Sequence, residues 1–409
     1  MFSSYRRLFA VPGSAAFTLA GALARFPGGM TGIAAVFMIT GSHRSYALAG
    51  ALAATVLGVT ALAGPQLSRL VDRRGQARTA LPALFVATAG GLAELLCLRL
   101  HAPTWTLFAG AALTGLVPNF GSMSRARWAA LHEGSEPLLH SAYALESVVD
   151  EAGYILGPIV ATVLATTLFP AAGFVGALLL GLVGGLLFSA QRRTEPAVRP
   201  AAPGQRGTAL RSPALLLMVL TLAATGGVFG IMEITTIGYA AAHHHKAAAS
   251  LVLSCYALGS CGSGLVFGLW QPKGAPARRL LYCLLAMTVS LTPLPLVGGL
   301  PAVAVVLLVS GCTTAPTMVT SMALVRASTP AASLNEAFSW AVTGILVGVS
   351  LGAAAGGWAV DHLGAGAGYR VPTAAAGLAL LTALLGHRRL RAATVPEPAV
   401  LPGQVPAVQ

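Results

Sequence analysis

The sequence predicts an all-α polytopic membrane protein with twelve transmembrane helices, arranged as two six-helix halves. Three observations predict this fold class. Hydrophobic residues make up 56% of the 409 positions and charged residues only 9%, whereas soluble domains are about 25% charged. Long apolar runs recur along the chain, each near the roughly 20 residues that a bilayer-spanning helix needs. A basic, proline-rich segment separates the first six runs from the last six.

The apolar runs are predicted to be helices because they are continuous and lack the polar alternation of barrel strands. The basic first residues are predicted to be a cytoplasmic tail, since the apolar stretch that follows is too long for a signal peptide. The runs at 140–168 and 335–360 are long enough to tilt or to extend past the bilayer. The twelve predicted spans cover residues 14–40, 46–66, 79–99, 104–124, 140–168, 170–190, 213–240, 247–270, 279–298, 301–325, 335–360 and 366–386.

These spans divide the chain into four predicted regions. They are an N-terminal six-helix half at 1–190, a cytoplasmic linker at 191–212, a C-terminal six-helix half at 213–390 and a disordered tail at 391–409. The halves weakly resemble each other, because Glu146 and Glu336 each open a fifth span of their half. Gly157 and Gly348 follow at similar distances. Six plus six spans with parallel halves are typical of transporters built from repeats.

The charge distribution predicts the orientation of these spans. The net charge is +13, and most of the basic residues fall in the segments that share a side with both termini. Because cytoplasmic loops of membrane proteins carry an excess of Arg and Lys, both termini are predicted to be cytoplasmic. The Arg-rich composition suggests a bacterial plasma (inner) membrane, and topology explains the basicity without a nucleic-acid partner.

Cofactors and metals are not predicted. The five cysteines fall in predicted spans without metal-like spacing, so neither disulfides nor a metal site is expected. The loop His243 to Lys246 is predicted to be a solvated outer loop. No Walker-type phosphate loop occurs, so the proton gradient is the expected energy source. The cysteines are Cys97, Cys255, Cys261, Cys283 and Cys312.

The segment between the second and third spans, GPQLSRLVDRRGQAR (Gly64 to Arg78), resembles the signature loop of the major facilitator superfamily. Asp72, Arg73 and Gly75 match its core, while its flanks are degenerate. The resemblance implies two six-helix halves around a central cavity and a gating loop. Asp72 would face the positive N-terminal end of the eleventh span, and Arg73 would pair with an acid of the N-terminal half. The corresponding segment of the second half, GLVFGLWQPKG, lacks the acid, so a one-sided latch is expected.

A second motif, Gly153-x-x-x-Gly157-Pro158, resembles the helix 5 motif of the superfamily's proton-coupled antiporters. Small residues allow another helix to approach closely, and the proline permits a bend. The motif favours export over uptake. The superfamily's drug antiporters often carry an Arg within helix 4, and LTGLVPNFGSM has none, which weakens drug antiport specifically. The following segment SRARWAALHEG is predicted to be a cytoplasmic loop.

Charged residues inside the spans are the candidate coupling site, since such residues are costly in a bilayer unless paired or protonated. At 100° per residue, Glu146 and Asp150 share one helix face, while Glu151 points about 100° away. Asp150 and Arg25 would each lie about 15 Å into their spans. Arg25 is predicted to pair with Asp150 or Glu151. Glu146 is expected at the cytoplasmic mouth.

Three further residues are candidates for the cavity. Glu233 lies late in the seventh span, and Trp340 lies one turn beyond Glu336. Glu336 opens the eleventh span, where Asn335 or Ser333 could cap the helix. Glu94, in the third span, is expected near the outer interface. The resemblance to the superfamily, in which helix 3 is peripheral, implies that Glu94 lies outside the site.

The predicted function is secondary active transport by rocker-switch alternating access, in a monomer. The most favoured version is proton-coupled export of a small organic molecule, with Asp150 and Glu151 as the leading proton carriers. A proton symporter that imports a nutrient and a lipid flippase are the alternatives within this fold. A membrane-embedded enzyme or sensor is disfavoured, because no nucleophile or metal constellation occurs in the spans and no signalling domain is attached.

Overall fold

The computed structural model describes residues 3–42, 45–198, 208–245, 248–270, 274–364 and 366–392. These residues form helices and short connections, with no strand among them. Short 3-10 turns occur in some of the connections, including Arg192–Thr194 and Ala209–Arg211 of the linker. The α-helices are α1 Ser3–Leu8, α2 Ser14–Arg25, α3 Pro27–Gly41, α4 Tyr46–Arg74, α5 Gln76–Arg99, α6 Thr104–Thr114, α7 Phe120–Leu131, α8 Glu136–Thr167, α9 Ala172–Ala190, α10 Pro213–Ala242, α11 Ala248–Leu269, α12 Pro276–Leu291, α13 Leu300–Ala327, α14 Leu334–Leu363 and α15 Arg370–Ala392.

Eleven stretches of the described residues are long and apolar enough to cross a membrane. The twelfth span, fourth in the chain, is made of α6 and α7 in series. The all-α fold predicted from the sequence is confirmed. Of the predicted tail, residues 391 and 392 belong to α15. Residues 393–409, the middle of the linker at 199–207 and Lys246 lie outside the described residues.

The fourth span was predicted as one continuous helix, but the structure divides it into α6 and α7. It breaks between Thr114 and Phe120, because Pro118 has no N–H to continue the helix. The Asn119 side chain then caps α7 by accepting a hydrogen bond from Ser122 N at 2.9 Å. The helix continues to Leu131, so most of the predicted loop at 124–134 is helical.

The signature segment between the second and third spans is also more helical than predicted. The second span does not end near residue 66, since α4 continues to Arg74. Gly75, with a φ of 96°, is the single residue between α4 and α5. Only glycine adopts such a conformation readily, so the chain reverses there without a loop. Asp72 and Arg73 therefore lie in the last turn of α4.

Each half packs its first span on its fifth through glycines. In the N-terminal half, a Cβ atom at Gly157 of α8 would lie 2.6 Å from the carbonyl carbon of Gly29 in α3. In the C-terminal half, a Cβ atom at Gly352 of α14 would lie 2.8 Å from Gly227 Cα in α10. Both contacts need the backbones to be closer than any side chain permits. The shared arrangement agrees with the internal repeat seen in the sequence.

The apolar cores show where the two halves meet. We call the end of the bundle that carries the linker the linker end, and the opposite end the far end. One core joins both halves at the linker end and includes Phe17, Tyr143, Met322 and Phe338. Towards the far end, one core contains residues of the N-terminal half only and another contains residues of the C-terminal half only. The halves thus share one core at the linker end and have separate cores at the far end. We call the space between these two separate cores the far-end cleft.

Candidate functional site

A cluster of charged side chains lies where the shared core ends and the far-end cleft begins. The two acids of the cluster lie on α8, which contributes to both cores. Its residue Tyr143 belongs to the shared core and Ala161 to the N-terminal core. Glu146 and Asp150 lie between them, one helical turn apart and therefore on one face.

Arg25 is the cation that faces these two acids. Its Nη1 lies 2.6 Å from Glu146 Oε2 and 3.1 Å from Asp150 Oδ1. It is the last residue of α2, directly before the break at Phe26 that leads into α3. Of the two predicted partners of Arg25, Asp150 is therefore found and Glu151 is not. Glu151 points away because it is one residue, or about 100°, further around α8.

Glu146 is fully buried, and not at a solvated mouth as expected. Its side chain has 0% exposure, and its Oε1 accepts a hydrogen bond from Trp128 Nε1 at 2.8 Å. Trp128 belongs to α7, which the sequence had suggested was a loop. Because α7 covers this face of α8, the carboxylate is enclosed between an indole and a guanidinium.

Arg125 is a member of the cluster that sequence reasoning missed. It lies in α7, is 4% exposed and donates to Asp150 Oδ2. The fourth span thus does contain an Arg, contrary to the expectation, because that span extends beyond its apolar run. The sequence signal that could have identified Arg125 is the pair of arginines in the segment SRARW, directly after the apolar run. The cluster pairs two guanidiniums with two carboxylates, and the Asp150 side chain remains 32% exposed.

Glu151 occupies the other side of α8 and faces the C-terminal half. Its Oε2 accepts a hydrogen bond from Ser260 Oγ of α11 at 3.4 Å. None of the described Arg or Lys side chains forms an ion pair with it. Two neighbouring acids therefore differ in environment: Asp150 contacts two cations, while Glu151 contacts a hydroxyl across the boundary between the halves.

Asp72 lies at the linker end, where it caps the first turn of α14. Its Oδ1 accepts hydrogen bonds from Asn335 N at 3.1 Å and Asn335 Nδ2 at 2.7 Å. Its Oδ2 accepts a hydrogen bond from Glu336 N at 2.8 Å. The predicted contact with the start of the eleventh span is present, and its role as a gate stays a prediction. The partner predicted for Arg73 is not found, since Arg73 is exposed and makes no ion pair among the described residues.

Glu336 is not brought to the charged cluster. It is 3% exposed at the linker end, where it accepts hydrogen bonds from Ala209 N at 3.0 Å and from Thr208 Oγ1 at 2.5 Å. It therefore holds the end of the linker. The predicted cap by Asn335 or Ser333 is instead supplied by Asp72, as the first turn of α14 has no side-chain cap of its own.

The remaining candidates lie apart from the cluster. Trp340 is half-buried on α14, and Glu233 is exposed on α10. Glu94 is 2% exposed and accepts a hydrogen bond from Thr114 Oγ1 at 2.8 Å, so it is buried between α5 and α6. Within the described part of the chain, no group of three His, Cys, Asp or Glu side chains could hold a metal ion.

Comparisons with known proteins agree with this architecture. The family model of the Major Facilitator Superfamily matches residues 17–273 and 234–406. A bacterial homologue of the iron transporter ferroportin, in an outward-facing state, superposes with a TM-score of 0.74 at 16% identity, over 91% of this chain and 98% of that one. The E. coli fucose:proton symporter FucP gives 0.66 at 14% identity, over 90% and 98%.

The human organic anion transporter MFSD10 (TETRAN) gives a TM-score of 0.65 at 14% identity, over 91% of this chain and 99% of that one. At these identities the likeness shows a shared fold. No curated protein matches the sequence. The family match covers most of the chain and agrees with the two-half helical architecture: the chain belongs to the Major Facilitator Superfamily of membrane transporters.

Proposed function

We propose that the protein is a proton-coupled exporter of a small organic molecule that works by alternating access. The single observation that carries this proposal is the pair of neighbouring acids on α8 at the base of the cleft. Asp150 is bound by two guanidiniums, whereas Glu151 faces a hydroxyl of the opposite half. In this proposal the linker end faces the cytoplasm, which the excess of arginines on that side supports.

Glu151 is the better proton carrier of the two. A carboxylate at membrane depth is costly while it is charged and unpaired, so a group without a cation is suited to alternate between its protonated and ionised forms. Asp150 is suited to remain ionised between Arg25 and Arg125. Because the Glu151 contact with Ser260 joins the two halves, a change in the protonation of Glu151 acts directly on the boundary that must move.

The direction of transport is supported by the packing of α8. The sequence around Gly157 and Pro158 resembles the motif of the superfamily's antiporters, and the structure gives Gly157 a backbone contact with Gly29. Import by proton symport is the competing function. Both functions need a proton carrier, so they are separated by the relative directions of proton and substrate movement.

The test is proton flux into proteoliposomes under an imposed pH gradient, with a panel of candidate amphiphiles. We expect Glu151→Gln to abolish substrate-dependent proton flux, since the amide cannot carry a proton. Glu94→Gln is the matched control, because Glu94 is another acid within an apolar helix and its hydrogen-bond partner Thr114 lies in the N-terminal half. We expect that variant to keep its flux.

Two outcomes would contradict the proposal. Normal coupled flux in Glu151→Gln, together with loss of flux in Asp150→Asn, would show that Asp150 is the proton carrier. Movement of protons and substrate in the same direction would show that the protein is a symporter and not a proton-coupled exporter.

A further inference from the structure

The C-terminus of α11 is held by side chains of the other half. The last carbonyls of an α-helix have no partner within the helix. Phe267 O is bonded to His140 Nε2 at 2.7 Å, and Gly268 O accepts a hydrogen bond from Ser141 Oγ at 2.7 Å. Both donors lie in the first turns of α8, which belongs to the N-terminal half. The nitrogen of His140 must carry hydrogen here, because a carbonyl can only accept.

The contact is buried and closely packed. His140 is 8% exposed and Ser141 is 0% exposed. The imidazole also lies edge-on to the Phe267 ring, with 4.8 Å between the ring centroids. Gly268 makes the approach possible, since a Cβ atom there would lie 2.6 Å from Ala144 Cβ and would also overlap the Tyr5 hydroxyl. The linker-end boundary between α8 and α11 therefore depends on a small residue and two donors.

We propose that His140 and Ser141 form a second gate latch, which holds the linker end closed by capping the C-terminus of α11. The sequence led us to expect a one-sided latch, because the second half has no counterpart of Asp72. The second latch uses donors instead of an acid. Asp72 satisfies the N–H groups at the start of α14, and His140 and Ser141 satisfy the C=O groups at the end of α11.

The chemistry of this latch makes it reversible. When the linker end opens, α8 and α11 separate, and water replaces the two donors on the carbonyls. A hydrogen bond that is exchanged for water contributes only a small net free energy, equivalent to roughly a two- to tenfold factor in a population. Two such bonds hold the closed form without trapping it.

The test measures the width of the far-end cleft with spin labels at positions 163 and 251. These are exposed positions on the far-end parts of α8 and α11, in a background whose five native cysteines are replaced. Opening the linker end closes the far end and shortens this distance. We expect His140→Phe combined with Ser141→Ala to increase the short-distance population about tenfold. His140→Gln, which keeps a donor, should restore most of the original distribution when Ser141 is intact.

Ser147→Ala is the matched control, because Ser147 donates to Tyr143 O within its own helix at 3.0 Å. Gly268→Ala perturbs the same contact from α11, because the added methyl group would overlap Ala144, and it keeps both donors. This variant replaces the double variant if the double variant fails to fold. An unchanged distribution in the latch variants, or an equal shift in Ser147→Ala, would overturn the proposal. The measurement needs neither substrate nor proton gradient, so its result is independent of the proposed proton coupling.

Discussion

At the scale of single residues, Glu146 sets the stability of the charged cluster. It is completely enclosed, forms an ion pair with Arg25 and accepts a hydrogen bond from Trp128. Removing Glu146 would leave two guanidiniums, Arg25 and Arg125, with Asp150 as their one carboxylate. An uncompensated charge at a buried ion pair costs about 3–5 kcal/mol. Replacing both members by apolar residues of similar volume avoids that loss, because no isolated charge remains.

We therefore expect Glu146→Leu alone to destabilise the protein by about 3–5 kcal/mol. Arg25→Met with Glu146→Leu should recover part of this loss, since Asp150 keeps Arg125 as its partner. A residual loss of roughly 1–3 kcal/mol remains for the Trp128 indole, whose N–H loses its acceptor. Thermal unfolding of the purified variants in detergent measures the difference. A double variant no more stable than Glu146→Leu would show that the pair is not electrostatically coupled.

The sequence predicted part of this cluster. Depth along the spans identified Arg25 and Asp150, and helical spacing placed Glu146 on the same face. It gave Asp150 as one of two possible partners of Arg25, and this pair is found. It did not predict the contacts of Asp150 and Glu146 with Arg125 and Trp128, because these depend on α7. The apolar run ends at residue 124, so Arg125 and Trp128 were placed outside the membrane. Their burial results from packing between helices, which the composition of one segment does not reveal.

At the scale of helices, the contact between α3 and α8 gives different roles to the two glycines of the Gly153-x-x-x-Gly157 motif. A Cβ atom at Gly157 would meet the backbone of Gly29 at 2.6 Å, while a Cβ atom at Gly153 would have no neighbour within 4 Å. The motif alone treats the two positions as equivalent. In the structure, of these two glycines only Gly157 has no room for a side chain.

We expect Gly157→Ala to reduce both the folded yield and the transport rate, because the added methyl group pushes α3 away from α8. Gly153→Ala is the matched control on the same helix. It should be tolerated, and the better helix propensity of alanine is worth up to about 1 kcal/mol. Unfolding midpoints and transport assays of the two variants measure the contrast. Equal loss in both would mean that the packing seen at Gly29 is not the reason for the motif.

The ends of the spans were harder to predict than the spans themselves. Apolar runs identify the part of a helix within the bilayer, but α4 continues eight residues past its predicted end at 66, to Arg74. That extension is amphipathic, and Val71 packs into the shared core. The hydropathy of a run does not report such extensions, because their stability comes from contacts with the opposite half.

At the scale of the whole molecule, the shared core and the two separate cores correspond to one conformation of the proposed alternating-access cycle. That proposal requires the same sequence to adopt a second form with the linker end open, so the sequence alone does not assign the conformation. The boundary between α4 and α14 is central to the closed form. Ser339 lies beside Gly64, and Thr343 Oγ1 donates to Ala61 O at 3.3 Å. These contacts must break if the halves rock.

A disulfide across this boundary tests that requirement. A Cβ atom at Gly64 would lie 3.3 Å from Ser339 Oγ. Cysteine side chains at these two positions would therefore be in contact, as a disulfide requires. We expect Gly64→Cys with Ser339→Cys to lose nearly all transport on oxidation, because the cross-link holds the linker end closed. A reductant should restore it. The spin-label distance across the far end should meanwhile stay long.

Each single cysteine variant, treated with the same oxidant, controls for the native cysteines and for the substitutions themselves. Transport that persists in the fully cross-linked double variant would mean that the α4–α14 boundary does not open. Substrate would then have to pass without separation of the halves at this boundary, and the caps at Asp72 and at the end of α11 would be static contacts. Loss that appears only in the oxidised double variant would instead show that the boundary between α4 and α14 must open for transport, and that the linker end is a moving gate.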